Sequence, residues 1–216
     1  ITVFSFHPVK IITTAEGGMA VTGSEALKEK MQLFRSHGVT RNKKLMTKES
    51  EGGWYYQQVA LGFNYRMTEL QAALGISQMQ RLDEFVAKRH ILQKKYDLLL
   101  EDLPIIKPYQ DKDSYSALHL YPIQIDLNST KKSRKQVFNE LRKKNISVNV
   151  HYIPIYSHPY YEKFDFSNEI LPIAENYYNR AISIPLFSIM TSLQQNTVEQ
   201  ALLRIFKLNN KSETIL

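Results

Sequence analysis

The sequence predicts an α/β fold in which short apolar strands alternate with amphipathic helices. Two apolar runs near the start of the chain, residues 1–6 and 19–21, have the length and composition of strands, and the first reads as buried. Helical stripes with capping residues follow at residues 25–37 and from Thr68 onward. The second half of the chain shows the order strand, helix, strand, loop and helix.

The boundaries of the first elements are marked by individual residues. The first strand stops at Pro8, which has no N–H to give to a sheet. Ser24 is placed to cap the first helix, and Gly38 is placed to end it. Residues 39–53 are polar and predict a long exposed loop.

The later elements are predicted from the spacing of apolar residues. One long helix is expected to begin after Thr68 and to continue its stripe to about residue 99. Residues 118–125 and 146–150 predict strands, with a helix between them. The last helix begins at the capping-box pattern of Thr191 and Gln194.

Composition excludes several classes of protein. The chain has 216 residues, of which 43% are apolar and 23% charged, so it is globular rather than disordered. The absence of cysteine excludes disulfides, thiolate catalysis and cysteine metal sites. No apolar run approaches the length of a membrane span, and no signal segment is visible, so we expect a cytoplasmic protein without a membrane partner.

The net charge of +7 leaves two interpretations. A basic chain can bind nucleic acid, which would appear as salt-dependent affinity for DNA or RNA. The basic residues nevertheless lie in separated helix-face clusters without a recognition motif, so solvated helix faces are the better interpretation and no nucleic-acid partner is expected. A positive field would also attract a nucleotide diphosphate.

A lysine stands in the turn between the first two strands. Residues 4–10 read Phe-Ser-Phe-His-Pro-Val-Lys, and Glu16-Gly17-Gly18 then leads into the second strand. Lysine amines lose their charge readily when desolvated and then attack carbonyls, which suggests Schiff-base chemistry at Lys10. The alternative is a surface lysine that follows an ordinary strand.

These residues resemble a known family. Ser5, four intervening residues, Lys10 and the Glu-Gly-Gly turn are similar to the lysine segment of the DegT/DnrJ/EryC1 sugar aminotransferases, which use pyridoxal 5'-phosphate (PLP). The resemblance implies the PLP-transferase type I fold, with Lys10 bound to PLP as a Schiff base and Ser5 hydrogen-bonded to its phosphate. Residues 4–10 are most similar to members that aminate C4 of a UDP-linked 4-keto-6-deoxy sugar on the way to pseudaminic acid.

A second segment, residues 61–75, also resembles the family. The resemblance implies that Asn64 contacts the PLP phosphate in the active site of the neighbouring subunit, and therefore that the protein is a homodimer with shared active sites. An amide can donate to a phosphate oxygen, and a nearby helix start favours an anion. The alternative is that Asn64 only forms a turn before the helix.

A third similar segment, residues 149–156, contains His151 and Tyr152, which the resemblance places over the sugar substrate. A rigid aromatic loop packed on the core is the alternative, and both interpretations stay open for these two residues. The core-packed interpretation is preferred for three further tyrosines: Tyr156, Tyr160 and Tyr161.

The histidines give no metal site. His119 has no carboxylate or second histidine at ligand spacing, and His151 and His158 in a proline-rich loop form no convincing ligand pair. His7 is expected to shape the lysine turn instead.

The resemblance covers nearly all of this chain but only about the C-terminal half of a family member. It implies that residues 1–75 are the C-terminal part of the large PLP-binding domain and that residues 76–216 form a bridging helix and a small α+β C-terminal domain. The chain starts with Ile1, and we expect a fragment, a cleaved product or the ordered part of a longer protein, inactive by itself because other cofactor contacts would lie elsewhere.

The implied activity is amino transfer, with glutamate and a UDP-sugar as substrates. Two alternatives remain: an aminotransferase for another nucleotide sugar, at C3 or with a pentose, and a catalytically silent sugar-binding relative. Retention of Lys10 argues against the silent relative.

Overall fold

A computed structural model describes residues 1–164 and 171–207 of the chain. The chain divides into two compact units, residues 1–82 and 83–216. No helix among the described residues is both long enough and apolar enough to cross a membrane.

The first unit contains two small antiparallel sheets and two helices. Its strands are β1 (Thr2–Ser5), β2 (Gly18–Val21), β3 (Val39–Thr40) and β4 (Gln57–Gln58), with β1 paired to β2 and β3 to β4. Its helices are α1 (Glu25–Arg35) and α2 (Glu69–Met79).

Both N-terminal strands form as predicted, but their predicted burial is wrong for this chain. Every residue of β1 and β2 is exposed, and Val3 keeps 75% of its surface accessible. A two-stranded hairpin is a single layer and cannot bury its own apolar side chains. They become buried only where another element packs against the hairpin. The connecting loop supplies the buried apolar residues, Phe6 and Ile12.

The predicted helix caps of the first unit are confirmed. Ser24 accepts the N–H of Leu27, and the N–H of Gly38 donates to the carbonyl of Leu33 after the end of α1. Thr68 caps α2 in a full capping box with Gln71, because each side chain binds the backbone of the other residue.

The prediction of one long helix after Thr68 is wrong. Helix α2 ends at Met79, and a second helix, α3, occupies Leu82–Leu99. At the break the N–H of Arg81 donates to the carbonyl three residues earlier, that of Gln78, so the turn is tighter than an α-helix. Neither glycine nor proline marks this position, which is why apolar spacing could not reveal it.

The second unit is built on a three-stranded antiparallel sheet in the order β5 (Ile105–Ile106), β6 (Tyr121–Ile125) and β7 (Ala181–Ile184). Besides α3, its described α-helices are α4 (Arg134–Lys143), α5 (Pro159–Glu162), α6 (Pro172–Arg180) and α7 (Ser192–Lys207), and a short 3₁₀-helix occupies Ile155–Ser157. Apolar side chains of α3, α4, α7, β6 and β7 form one buried core.

The order of elements in this unit was predicted only in part. Helices α4 and α7 form where expected, whereas the strand expected at residues 118–125 is shorter. The strand expected at residues 146–150 is wrong: only Asn149 pairs there, in an isolated bridge to Ser183 of β7. The sequence analysis missed β7 itself because its four residues are too few to show a period.

The pairing of Ser183 with Asn149 explains why a proline is tolerated inside β6. Pro122 lies opposite Ser183 in the register of β6 and β7. Ser183 uses its N–H and its carbonyl for Asn149, so the Pro122–Ser183 pair is a non-hydrogen-bonded pair of the ladder and requires no N–H from proline.

A buried arginine connects three parts of the second unit. Nη1 of Arg89, on α3, donates to the carbonyls of Leu118 (3.0 Å), His119 (3.2 Å) and Leu186 (2.8 Å). Burial lowers the pKa of Arg89, but a guanidinium keeps its charge at neutral pH, so the carbonyl dipoles stabilise a buried cation.

We expect Arg89→Ala to lower the free energy of unfolding by about 3 kcal/mol, because charged hydrogen bonds to three carbonyls disappear together. Lys88→Ala is the matched control: Lys88 is an exposed neighbour whose ion pair with Glu84 (2.6 Å) is worth at most about 0.5 kcal/mol. Urea unfolding of both variants measures the difference, and equal losses would contradict the anchoring role of Arg89.

Candidate active site

The loop that carries Lys10 is closed on one residue, Phe6. The N–H of Phe6 donates to the carbonyl of Gly17 (2.9 Å). The carbonyl of Phe6 accepts the N–H of Thr14 (3.0 Å) and the hydroxyl of Thr13 (2.9 Å). The loop is therefore fixed at both ends, and Lys10 lies half-buried between them.

His7 shapes this turn, as predicted. Its carbonyl accepts the N–H of Lys10 (2.9 Å), and its Nδ1 lies 3.4 Å from the N–H of Val9. Its Nε2 lies 3.9 Å from a carboxylate oxygen of Glu16 on the returning arm of the loop. The His7 side chain thus lies between the two arms on either side of Lys10.

The Gly-Gly pair is required by close packing. Gly17 has φ +155°, and a Cβ there would lie 2.3 Å from Oγ1 of Thr14 and 2.9 Å from Cε of Met67. A Cβ on Gly18 would lie 2.8 Å from the carbonyl oxygen of Phe4 on the paired strand. Only glycine fits both positions without displacement.

The start of α2 is tied to the lysine loop through Gln71. The carbonyl of Glu16 accepts two hydrogen bonds, one from the hydroxyl of Thr14 (2.8 Å) and one from the side-chain amide of Gln71 (2.9 Å). Gln71 is also the capping-box partner of Thr68. The sequence analysis missed Gln71, although a glutamine three residues after a capping threonine was the available signal.

The three predicted cofactor residues all lie in the first unit. Ser5 ends β1, and Asn64 pairs through its backbone with Ser36. Ser5 and Asn64 are exposed, and within the described residues no hydrogen bond or ion pair occupies the side chains of Ser5, Asn64 or Lys10. A hydroxyl and an amide can donate to a phosphate, and an amine can attack an aldehyde, so these three residue types suit PLP.

The predicted sugar-binding residues lie in the second unit. Nδ1 of His151 is 2.8 Å from Oγ of Ser183, and its ring meets that of Tyr152 edge-on with centroids 4.6 Å apart. Tyr152 is 69% exposed. Sequence reasoning missed Ser183, because no motif marks it.

The prediction that Tyr160 and Tyr161 pack on the core is wrong. Both are exposed, and their rings contact each other and Phe164. Nζ of Lys163 lies 3.6 Å from the centroid of Tyr160. The aromatic residues in and after α5 therefore pack against one another rather than on the core. Tyr156 is half-buried and donates to Glu175 at 3.3 Å.

The described residues contain no group of three or more metal-ligating side chains.

The family of this chain is shown by comparison with known proteins. The sequence profile of the DegT/DnrJ/EryC1/StrS aminotransferase family matches residues 1–203. This chain belongs to that family.

Relatives of this DegT-family chain include sugar aminotransferases. It is 36% identical over 209 residues to the UDP-4-amino-4,6-dideoxy-N-acetyl-beta-L-altrosamine transaminase of Campylobacter jejuni, covering 96% of this chain and 52% of that protein. The chain spans about half the length of the curated relatives it matches.

Solved structures agree with the fold that the sequence predicted. Helicobacter pylori PseC, an aminotransferase of pseudaminic acid biosynthesis, superposes with a TM-score of 0.83 at 34% identity, over 95% of this chain and 53% of that one. The PLP-form of a sugar aminotransferase from Streptococcus pneumoniae, Spr1654, superposes with a TM-score of 0.77 at 26% identity. The match covers 95% of this chain and 52% of that one. The two units thus match a C-terminal portion of the PLP-transferase fold, and PLP is the cofactor of this family.

We expect Gly17→Ala to lower the free energy of unfolding by about 2 kcal/mol, because the added Cβ meets Thr14 at a backbone conformation that suits glycine. Gly23→Ala is the control, since a Cβ there meets nothing within 4 Å, and its effect should stay within about 0.5 kcal/mol. Urea unfolding compares the two, and an equally tolerated Gly17→Ala would contradict the packing argument.

Proposed function

We propose that the intact protein transfers an amino group from glutamate to the C4 ketone of a UDP-linked 4-keto-6-deoxy sugar, on the route to pseudaminic acid. The observation that carries the proposal is the closed loop around Lys10, with Ser5 before it and the Glu16-Gly17-Gly18 turn behind it. Similarity to the Campylobacter jejuni transaminase supports the choice of sugar. We also propose that the enzyme works in the cytoplasm.

Lys10 has two tasks in this proposal. Its Nζ would hold the cofactor aldehyde, and the free amine would then act as the general acid/base that moves a proton between Cα of the amino donor and the cofactor carbon. PLP, when bound, supplies the electron sink for that chemistry. The hydrogen bonds on Phe6 and His7 fix the backbone from which the Lys10 side chain extends.

Ser5 and Asn64 hold the phosphate in this proposal. The hydroxyl of Ser5 and the amide of Asn64 are both donors with spare capacity among the described residues. We infer that Asn64 serves the active site of a second subunit, so that the enzyme is a homodimer with shared sites. The nearby start of α2 adds a favourable dipole for an anion.

His151 and Tyr152 bind the sugar in this proposal. An exposed tyrosine ring can stack on a sugar face while its hydroxyl bonds the ring substituents. His151 supplies a nitrogen beside that ring.

Lys10→Ala tests the cofactor lysine. We expect turnover to fall by at least about a thousandfold, because the proton carrier is removed. Borohydride treatment of the PLP-loaded wild type, followed by digestion and mass spectrometry, should place the cofactor mass on the peptide that holds Lys10. Lys28→Ala, which removes a surface ion pair with Glu25, should change neither result. Cofactor found on another lysine would refute the assignment.

Complementation tests the shared site. Lys10→Ala and Asn64→Asp should each be inactive, the second because a carboxylate repels the phosphate. After the two proteins exchange subunits, heterodimers contain one active site with both native residues, so part of the activity should return. Mixing either variant with itself is the control. Absence of recovery, once exchange is verified by mass, would count against a shared site.

A further inference from the structure

The sheet of the second unit fixes both ring nitrogens of His151. His151 follows the bridge in which Asn149 and Ser183 exchange both backbone hydrogen bonds, at 3.2 and 2.8 Å. Oγ of Ser183 lies 2.8 Å from Nδ1 of His151, and Nδ2 of Asn149 lies 3.4 Å from Nε2. Each nitrogen therefore faces a polar side chain held by the bridge.

The orientation of the Asn149 amide decides the tautomer. Its Oδ1 accepts the N–H of Val150 (2.8 Å), so its nitrogen is turned toward the imidazole of His151. An amide nitrogen only donates, so Nε2 has to accept. In a neutral ring the proton is then on Nδ1, from which it is donated to the oxygen of Ser183.

Burial explains why Ser183 needs this partner. Ser183 is 6% exposed, and its neighbour across the sheet is Pro122, which offers no donor. A buried hydroxyl without a hydrogen bond is costly, and His151 provides one. The oriented imidazole in turn contacts the ring of Tyr152 edge-on, 4.6 Å between centroids.

We propose that Ser183 is a positioning residue which, together with Asn149, holds His151 as the Nδ1–H tautomer and makes Nε2 a hydrogen-bond acceptor. A hydroxyl or an amide N–H of a nucleotide-linked sugar would donate to this acceptor in place of the Asn149 amide, whose contact with Nε2 is long at 3.4 Å. The choice of ligand rests on the proposed function, whereas the tautomer does not.

The tautomer is measured by long-range proton–nitrogen correlation NMR on the histidines of the full-length, PLP-loaded protein, at a pH where the ring is neutral. This chain contributes six histidines, and His151→Gln identifies the signals of His151. We expect Nδ1 to have the shift of a protonated nitrogen and Nε2 that of an unprotonated one. The opposite pattern in the wild type would overturn the proposal.

Three variants sharpen this measurement. Ser183→Ala should move His151 toward the Nε2–H tautomer, which a free imidazole favours, and Asn149→Asp should do the same by turning an acceptor toward Nε2. Ser157→Ala is the control, because it removes a serine hydrogen bond (2.7 Å to the carbonyl of Pro154) from the same loop and should leave the tautomer unchanged. No response to Ser183→Ala would also overturn the proposal.

Steady-state kinetics tests the ligand separately. Ser183→Ala should raise KM for the nucleotide sugar about fivefold, the equivalent of one hydrogen bond, while kcat and KM for the amino donor stay within about twofold. Ser183→Thr keeps the hydroxyl and should restore both KM and tautomer. If the tautomer responds but neither Ser183→Ala nor His151→Gln changes KM for the sugar, the sugar ligand is refuted and the positioning of His151 stands.

Discussion

The first unit depends on the closure of one loop by hydrogen bonds. Phe6 binds Gly17 through its N–H and Thr13 and Thr14 through its carbonyl, so both ends of the loop meet at a single buried residue. Such a closure tolerates no Cβ at Gly17. The Glu16 carbonyl then joins the loop to α2 through the amide of Gln71. The two segments that resemble the family, around Lys10 and around Asn64, are thus parts of one hydrogen-bonded arrangement.

Local features of the fold could be predicted from sequence, and features that depend on distant contacts could not. Ser24, Thr68 and Thr191 cap their helices as predicted, because a cap is decided within four residues. The break between α2 and α3 and the short strand β7 were missed, since neither has a local signal. The exposure of β1 was mispredicted because an apolar composition indicates that a strand favours burial. It does not indicate whether the same unit contains residues that cover the strand.

The same limit applies to the candidate site. The roles of Ser5 and Lys10 could be predicted from their spacing and their resemblance to the family. The loop geometry around them is compatible with those roles. Gln71 and Ser183 were missed because each acts through a backbone or ring atom that is distant in sequence: Glu16 for the first, His151 for the second. The capping-box position of Gln71 signals its bond to Thr68 but not its bond to Glu16, and nothing in the sequence around Ser183 signals its contact with His151.

The two units stabilise their candidate residues by different means. In the second unit, Ile123 and Ile182 are fully buried, and their strands hold Ser183 beside His151. In the first unit the strands are exposed, and the buried apolar side chains near Lys10 are those of Phe6 and Ile12 in its own loop. Hydrogen bonds and close backbone packing add to this burial in fixing the loop. Because a single hydrogen bond contributes only about 1 kcal/mol, the lysine loop has to use several of them together.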